Sequence, residues 1–146
     1  MGTVRIGIIG TGVIANGRHI QELLECLDAK IVALCDVDPA ALERTAARAG
    51  VTAEKCYKDY RDLIADPEVD AVEICTPNYL HAEMAKAVLA AGKFLNLEKP
   101  VTMNYEQALE VLAAEKKSAV FGMACFSYRF MPAVRYAKHL VDQKKL

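Results

Sequence analysis

Apolar and polar positions along the chain follow two alternating rhythms. Short apolar, β-branched runs at residues 4–9, 31–35, 55–57, 70–75, 93–98 and 119–126 read as strands. The stretches between them carry apolar residues three and four apart, the spacing of one helical face. A first helix runs from Val13 towards Cys26, with Ile20, Leu23, Leu24 and Leu27 on its apolar side. Gly17 in its middle costs about 1 kcal/mol against alanine. Asp38 and Pro39 read as an N-cap and a first-turn proline for a helix over 40–49 that stops at Gly50. Asp59 caps a short helix over 60–65. Thr76-Pro77 breaks the fourth strand, Asn78 caps the helix that follows, and Gly92 closes it. Pro100 ends the fifth strand, and helices follow at 105–117 and from Met131 to the end of the chain.

Strands and helices alternate six times, which predicts a parallel sheet covered on both faces. The expected fold class is therefore α/β: a doubly wound, three-layer αβα sheet of Rossmann type with strand order 3-2-1-4-5-6. Composition agrees with a soluble globular domain, at 146 residues, 53% hydrophobic and 25% charged. A net charge of −1 argues against nucleic acid or an anionic membrane surface as partner. No run is long and apolar enough to span a bilayer, and no signal peptide opens the chain, so the cytoplasm is the default location. The five cysteines form no Cys-x-x-Cys pair and read as reduced core residues. The three histidines lie far apart in sequence, so no metal site is expected.

The chemistry concentrates where strands end. Gly10-Thr11-Gly12-Val13-Ile14-Ala15 follows a strand and opens a helix, the spacing of a dinucleotide fingerprint. Gly10 permits the tight turn, Gly12 lets a pyrophosphate approach the backbone, and Ala15 lets helix and strand pack closely. The N–H groups of Val13 and Ile14 would face the anion at a helix start carrying about half a positive charge. Asp36 ends the second strand, where a carboxylate meets the adenosine ribose. It can accept from both ribose hydroxyls and would repel a 2′-phosphate, and no cation follows it directly, so NAD is expected over NADP. Thr76, Pro77 and Asn78 are either a break with a helix cap or the lining of the cleft between pyrophosphate and nicotinamide. Glu98-Lys99-Pro100 is either a charged strand end or a rim that projects Lys99 at the reacting carbon, where an ammonium would stabilise charge on a substrate oxygen. His81 reads as a packed or capping-region histidine rather than a catalyst.

With these motifs in order, the chain resembles the N-terminal domain of the glucose-fructose oxidoreductase / inositol dehydrogenase / MocA (Gfo/Idh/MocA) family. The resemblance rests on Gly10-Thr11-Gly12 with Ala15, Cys35-Asp36 with Asp38, Thr76-Pro77-Asn78 with His81, Glu98-Lys99-Pro100, and Tyr128-Arg129-Phe130 with Pro132-Ala133. It implies an NAD(P)-dependent oxidoreductase acting on a sugar, polyol or related alcohol or carbonyl. Lys99 is implied in substrate binding and catalysis, Glu98 and Lys99 at the cofactor, and the bond before Pro100 as often cis. Residues 1–123 would be the dinucleotide-binding domain, and 124–146 the last strand end and a helix leading to a substrate domain. That domain, and the proton-transfer histidine it carries in the family, lie outside this chain, which reads as a truncated form that binds cofactor without turnover. Apolar surface near the sixth strand and last helix would then favour a homo-oligomer. The alternative is a non-catalytic NAD-binding sensor or interaction module.

Overall fold

A computed structural model describes residues 2–145; Met1 and Leu146, the latter closing the predicted terminal helix, lie outside the described residues. The β-branched runs form β1 (Val4–Ile9), β2 (Ala29–Cys35), β3 (Cys56–Tyr57), β4 (Ala71–Ile74), β5 (Phe94–Leu97) and β6 (Gly122–Ala124). All pairs are parallel, in the order β3-β2-β1-β4-β5-β6. The order reverses between β1 and β4, so the switch point of the sheet lies at the end of β1, where the glycine turn begins.

Helices α1 (Ile20–Glu25) and α2 (Pro39–Ala49) cover one face, and α3 (Tyr60–Ala65), α4 (His81–Ala90) and α5 (Tyr105–Lys117) the other. Strand alternation sorts the core accordingly. Ile9, Val72, Ile74, Leu95 and Leu97 pack against Leu63, Val88 and Leu89. Ile8 and Leu34 pack against Ile20 and Leu42. Removing each such side chain from water contributes about 1.5–3 kcal/mol. α6 (Pro132–Asp142) follows a 3₁₀ turn and buries none of its residues.

The caps act as the sequence predicts at α2 and α3. The Asp38 carboxylate accepts from the Ala40 N–H, Gly50 adopts φ 68°, and the Asp59 carboxylate accepts from the Arg61 N–H. Two expectations need correction. Asn78 caps nothing: residues 78–80 form a 3₁₀ turn closed by the Leu80 N–H on the Pro77 carbonyl, and α4 begins at His81. The sixth strand is shorter than 119–126. Ser118 Oγ accepts from the Val120 N–H at one end, and the Phe126 N–H turns back onto the Ala124 carbonyl at the other, so both flanks are committed to turns.

The first helix is not a regular α-helix. The Ile20 N–H donates to the Ala15 carbonyl, five residues back, and residues 15–19 form one wide π turn. At 3.6 residues per turn an α-helix would place Ile20 about 140° around the axis from Ala15. The wide turn instead brings Ala15, His19 and Ile20 to one buried face.

Candidate functional site

The glycine turn is shaped by its neighbours. Gly10 has φ 92°, and a Cβ there would lie 2.8 Å from the carbonyl carbon of Cys75. A Cβ on Gly12 would meet nothing within 4 Å, so this side of the turn opens on free space. No side chain caps the helix start beside it, which leaves first-turn N–H groups to an anion. These features fit a pyrophosphate. Asn16 braces the turn by donating from Nδ2 to the Thr11 carbonyl at 2.7 Å and to Thr45 Oγ1 at 2.9 Å.

Asp36 is held beside the turn. Its Oδ2 accepts from the Thr11 N–H at 2.6 Å and the Thr11 hydroxyl at 2.8 Å, and its Oδ1 from the Asp38 N–H at 3.0 Å. Burial opposes its ionisation, but the bonds from Asp38 and Thr11 outweigh that, and its carboxyl lies below the ordinary range. A carboxylate offers about four acceptor positions. With these bonds kept, Asp36 accepts one ribose hydroxyl more readily than two. Thr11 itself is buried, so its side chain orients the acid rather than facing the groove.

Two cavities flank the helix start. One, of about 440 Å³, is bordered by Gly10, Gly12, Asp36, Thr76, Pro77 and Tyr60. Lys58 and Arg61 also border it; Arg61 is paired with Asp59 and Glu83. The other, of about 420 Å³, is bordered by Ile14, Arg18, His19, Glu98, Lys99 and Tyr128. Among the predicted residues, Gly10, Gly12, Asp36, Thr76 and Pro77 share the first cavity, and Ile14, Glu98 and Lys99 the second. Val13 and Asn78 are exposed and border neither. Lys99 is exposed at its cavity's lip, and the Lys99–Pro100 peptide is cis. His81 is fully buried, with Nδ1 2.7 Å from the Pro100 carbonyl and Nε2 2.9 Å from that of Thr76. It ties together the loops after β4 and β5.

His19 is the residue the sequence did not single out. Its Nδ1 lies 2.6 Å from Glu73 Oε1 and its Nε2 2.9 Å from Glu98 Oε1. The Cys75 sulfur and the Glu73 carboxylate hold its ring far above the ordinary histidine range, up to about 12, against the burial that opposes charge. Burial opposes the charge on Glu98, but the bonds from His19 and the Lys99 N–H, with the charges on both residues, together outweigh it, so that carboxyl is lowered. His19 with Glu73 and Cys75, and His19 with Glu98 and Cys125, also come within metal-ligand spacing of one another. Distance between histidines in sequence therefore missed the carboxylates and thiols that gather around one of them. Both ring nitrogens point at carboxylates, an arrangement a protonated imidazole satisfies by itself. The cysteines are all free; Cys35 is buried, Cys56, Cys75 and Cys125 are half-buried, and Cys26, expected in the core, is exposed.

The parallel sheet, its switch point, the bare glycine turn and the acid at the end of β2 define an NAD-binding Rossmann domain. A family model described as "Oxidoreductase family, NAD-binding Rossmann fold" matches residues 4–126, and the chain belongs to this Gfo/Idh/MocA family. It is 33% identical over 143 residues to an inositol 2-dehydrogenase/D-chiro-inositol 3-dehydrogenase of Lactiplantibacillus plantarum, covering 97% of this chain and 39% of that one. The scyllo-inositol dehydrogenase of Lactobacillus casei with bound NAD(H) and scyllo-inositol superposes with TM-score 0.90 at 31% identity, over 98% of this chain and 42% of that one. The WlbA dehydrogenase of Chromobacterium violaceum, in complex with NADH and UDP-GlcNAcA, superposes with TM-score 0.92 at 27% identity, over 99% and 41%. The chain thus spans about two-fifths of the length of these relatives. Among the described residues no helix is long and apolar enough to cross a membrane.

Proposed function

We propose that this chain is the cofactor-binding part of an NAD-dependent dehydrogenase of a polyol or sugar. The observation that carries the reading is the pair of cavities on either side of an uncapped helix start, one with Asp36 and the other with Lys99. In this reading the first takes the adenosine half of the cofactor and the second the nicotinamide half together with the reacting carbon. When bound, NAD supplies the hydride acceptor. The protein's own part is to seat the pyrophosphate on the Gly10–Ile14 turn, accept a ribose hydroxyl at Asp36, and donate a hydrogen bond from the Lys99 ammonium to the substrate oxygen as charge builds there. Relatives that act on inositol support a polyol or sugar as substrate. The chain alone binds cofactor and turns over little or nothing, because the proton-transfer histidine implied by the family resemblance lies outside it.

Asp36 also sets the choice of cofactor. A charged hydrogen bond contributes about 1.5–3 kcal/mol, and a 2′-phosphate would lose it and meet a like charge. Of the two cations bordering the cavity, Arg61 is paired with Asp59 and Glu83 and Lys58 has no ion-pair partner among the described residues, so the preference rests on the charge of Asp36 itself. Calorimetric titration with NAD and NADP under identical conditions should give NAD the tighter binding by roughly tenfold or more. Tighter NADP binding would overturn the role of Asp36, and no heat from either would overturn the cofactor-binding reading.

A further inference from the structure

Strands of a parallel sheet buried on both faces are apolar almost throughout. β4 and β5 break that pattern at alternate positions. Val72, Ile74, Leu95 and Leu97 pack on the α4 side. Glu73, Asn96 and, just past β5, Glu98 project to the side of the first helix, where His19 lies between the two acids. Each ion taken from water costs several kcal/mol unless it is paired and hydrogen-bonded. Here the pairing is continuous. Asn96 Nδ2 donates to Glu73 Oε1 at 2.5 Å, His19 joins Glu73 to Glu98, and Glu98 Oε2 accepts from the Lys99 N–H at 2.8 Å. Cys75 and Cys125 complete the ring's surroundings.

The other end of this line is the glycine turn. His19 closes the wide π turn that begins at Ala15, directly after the N–H groups that would meet a pyrophosphate. A π turn in a helix has an alternative bonding pattern within reach, five residues back or four, and such turns recur at functional sites. Energetic coupling is carried by such elements joined to hydrogen-bonded groups.

We propose that His19 is a positioning residue that couples occupancy of the glycine turn to the placement of Lys99, acting through Glu98 and the Lys99 backbone. The proposal rests on the dinucleotide reading above. Its new content is a communication path from the pyrophosphate seat to the lysine, carried by one buried imidazolium between two carboxylates.

The test is nuclear magnetic resonance on the ¹⁵N-labelled chain, with ADP as probe because it has a pyrophosphate but no nicotinamide to reach Lys99. ADP should shift the amide resonances of Gly12 and of Lys99 together, and both His19 ring nitrogens should keep their protons through neutral pH. In His19→Gln, which keeps donors on a single nitrogen and carries no charge, Gly12 should still respond while the Lys99 shift falls roughly threefold or more. Glu98→Gln, which keeps the shape but removes one charge, should weaken the same response. A Lys99 amide indifferent to ADP in the native chain overturns the proposal, as does an undiminished response in His19→Gln or a His19 ring with one bare nitrogen. The native-chain readings stand even if a variant fails to fold. Silence at Gly12 is a different failure: it overturns the dinucleotide reading itself, and this inference with it.

Discussion

Gly10 and Gly12 are two residues apart and are glycine for different reasons. Gly10 has a backbone angle that disfavours other residues, and its Cα faces the backbone of Cys75 across the switch point. Gly12 has ordinary angles and open space, so its missing Cβ matters only to something that arrives from outside. The same substitution should therefore give opposite readouts. Gly10→Ala should lower stability by about 2–4 kcal/mol through left-handed strain and a backbone clash. Gly12→Ala should leave the urea midpoint nearly unchanged and weaken NAD binding by roughly tenfold or more, as a methyl group meets the pyrophosphate. If Gly12→Ala unfolds the chain, or binds NAD as well as the parent, the pyrophosphate seat is elsewhere.

Between elements, the pairing of β1 with β4 is locked at its far end by one ion pair. The Arg5 guanidinium grips Asp70 through Nη2 at 2.6 Å and Nε at 2.9 Å, and the Arg5 N–H adds a bond to the same carboxylate. Arg5, first through its side chain and then through its N–H, lowers the Asp70 carboxyl from 3.8 to about 2. A lowered folded-state value means a contribution that is full above the unfolded value and lost as pH falls through the folded one. Asp70→Asn should thus lower the urea midpoint at neutral pH, and the gap to the parent should close between about pH 4 and about pH 2. Both side chains are over a third exposed, so the effect is modest and shrinks with salt. Most elements could be read from the chain because their signals are local: Asp38-Pro39 and Gly50 bracket α2, Asp59 opens α3, and Gly92 follows α4. The misreadings lie where one local bond displaces another that the residue types equally allow. Asn78 loses its cap to a 3₁₀ turn, and the π turn follows from the need to bury Ala15, His19 and Ile20 together. At the site, Gly10, Gly12, Asp36 and Lys99 were readable from spacing, whereas Asn16 and His19 act on groups that spacing does not connect. One clue was present: Glu73 within Val72-Glu73-Ile74 and Asn96 within Leu95-Asn96-Leu97 are polar where a doubly covered strand should be apolar.

The molecule as a whole is asymmetric in its surface. Near β6 and beyond it, Phe121, Met123, Phe126, Phe130 and Met131 are exposed, and α6 adds exposed Val134, Tyr136 and Val141. Exposed apolar side chains in this number favour association. Sedimentation velocity should show mass rising with concentration, and Phe126→Ser with Phe130→Ser should reduce that rise while leaving the sheet intact. A mass that stays monomeric at high concentration would exclude this face as a contact. The wide turn of the first helix bears on a different property, the tolerance of such a chain to changes in its length. It amounts to one residue inserted into a helix with no loop to hold it. Gly17 lies inside it, facing open space. Taking that residue out puts Ala15 and Ile20 four apart, a spacing that an ordinary helix already stacks on one side. A Gly17 deletion should therefore leave the stability measured by urea unfolding within about 1 kcal/mol of the parent, with the ring resonances of His19 recording its changed angle towards the two acids.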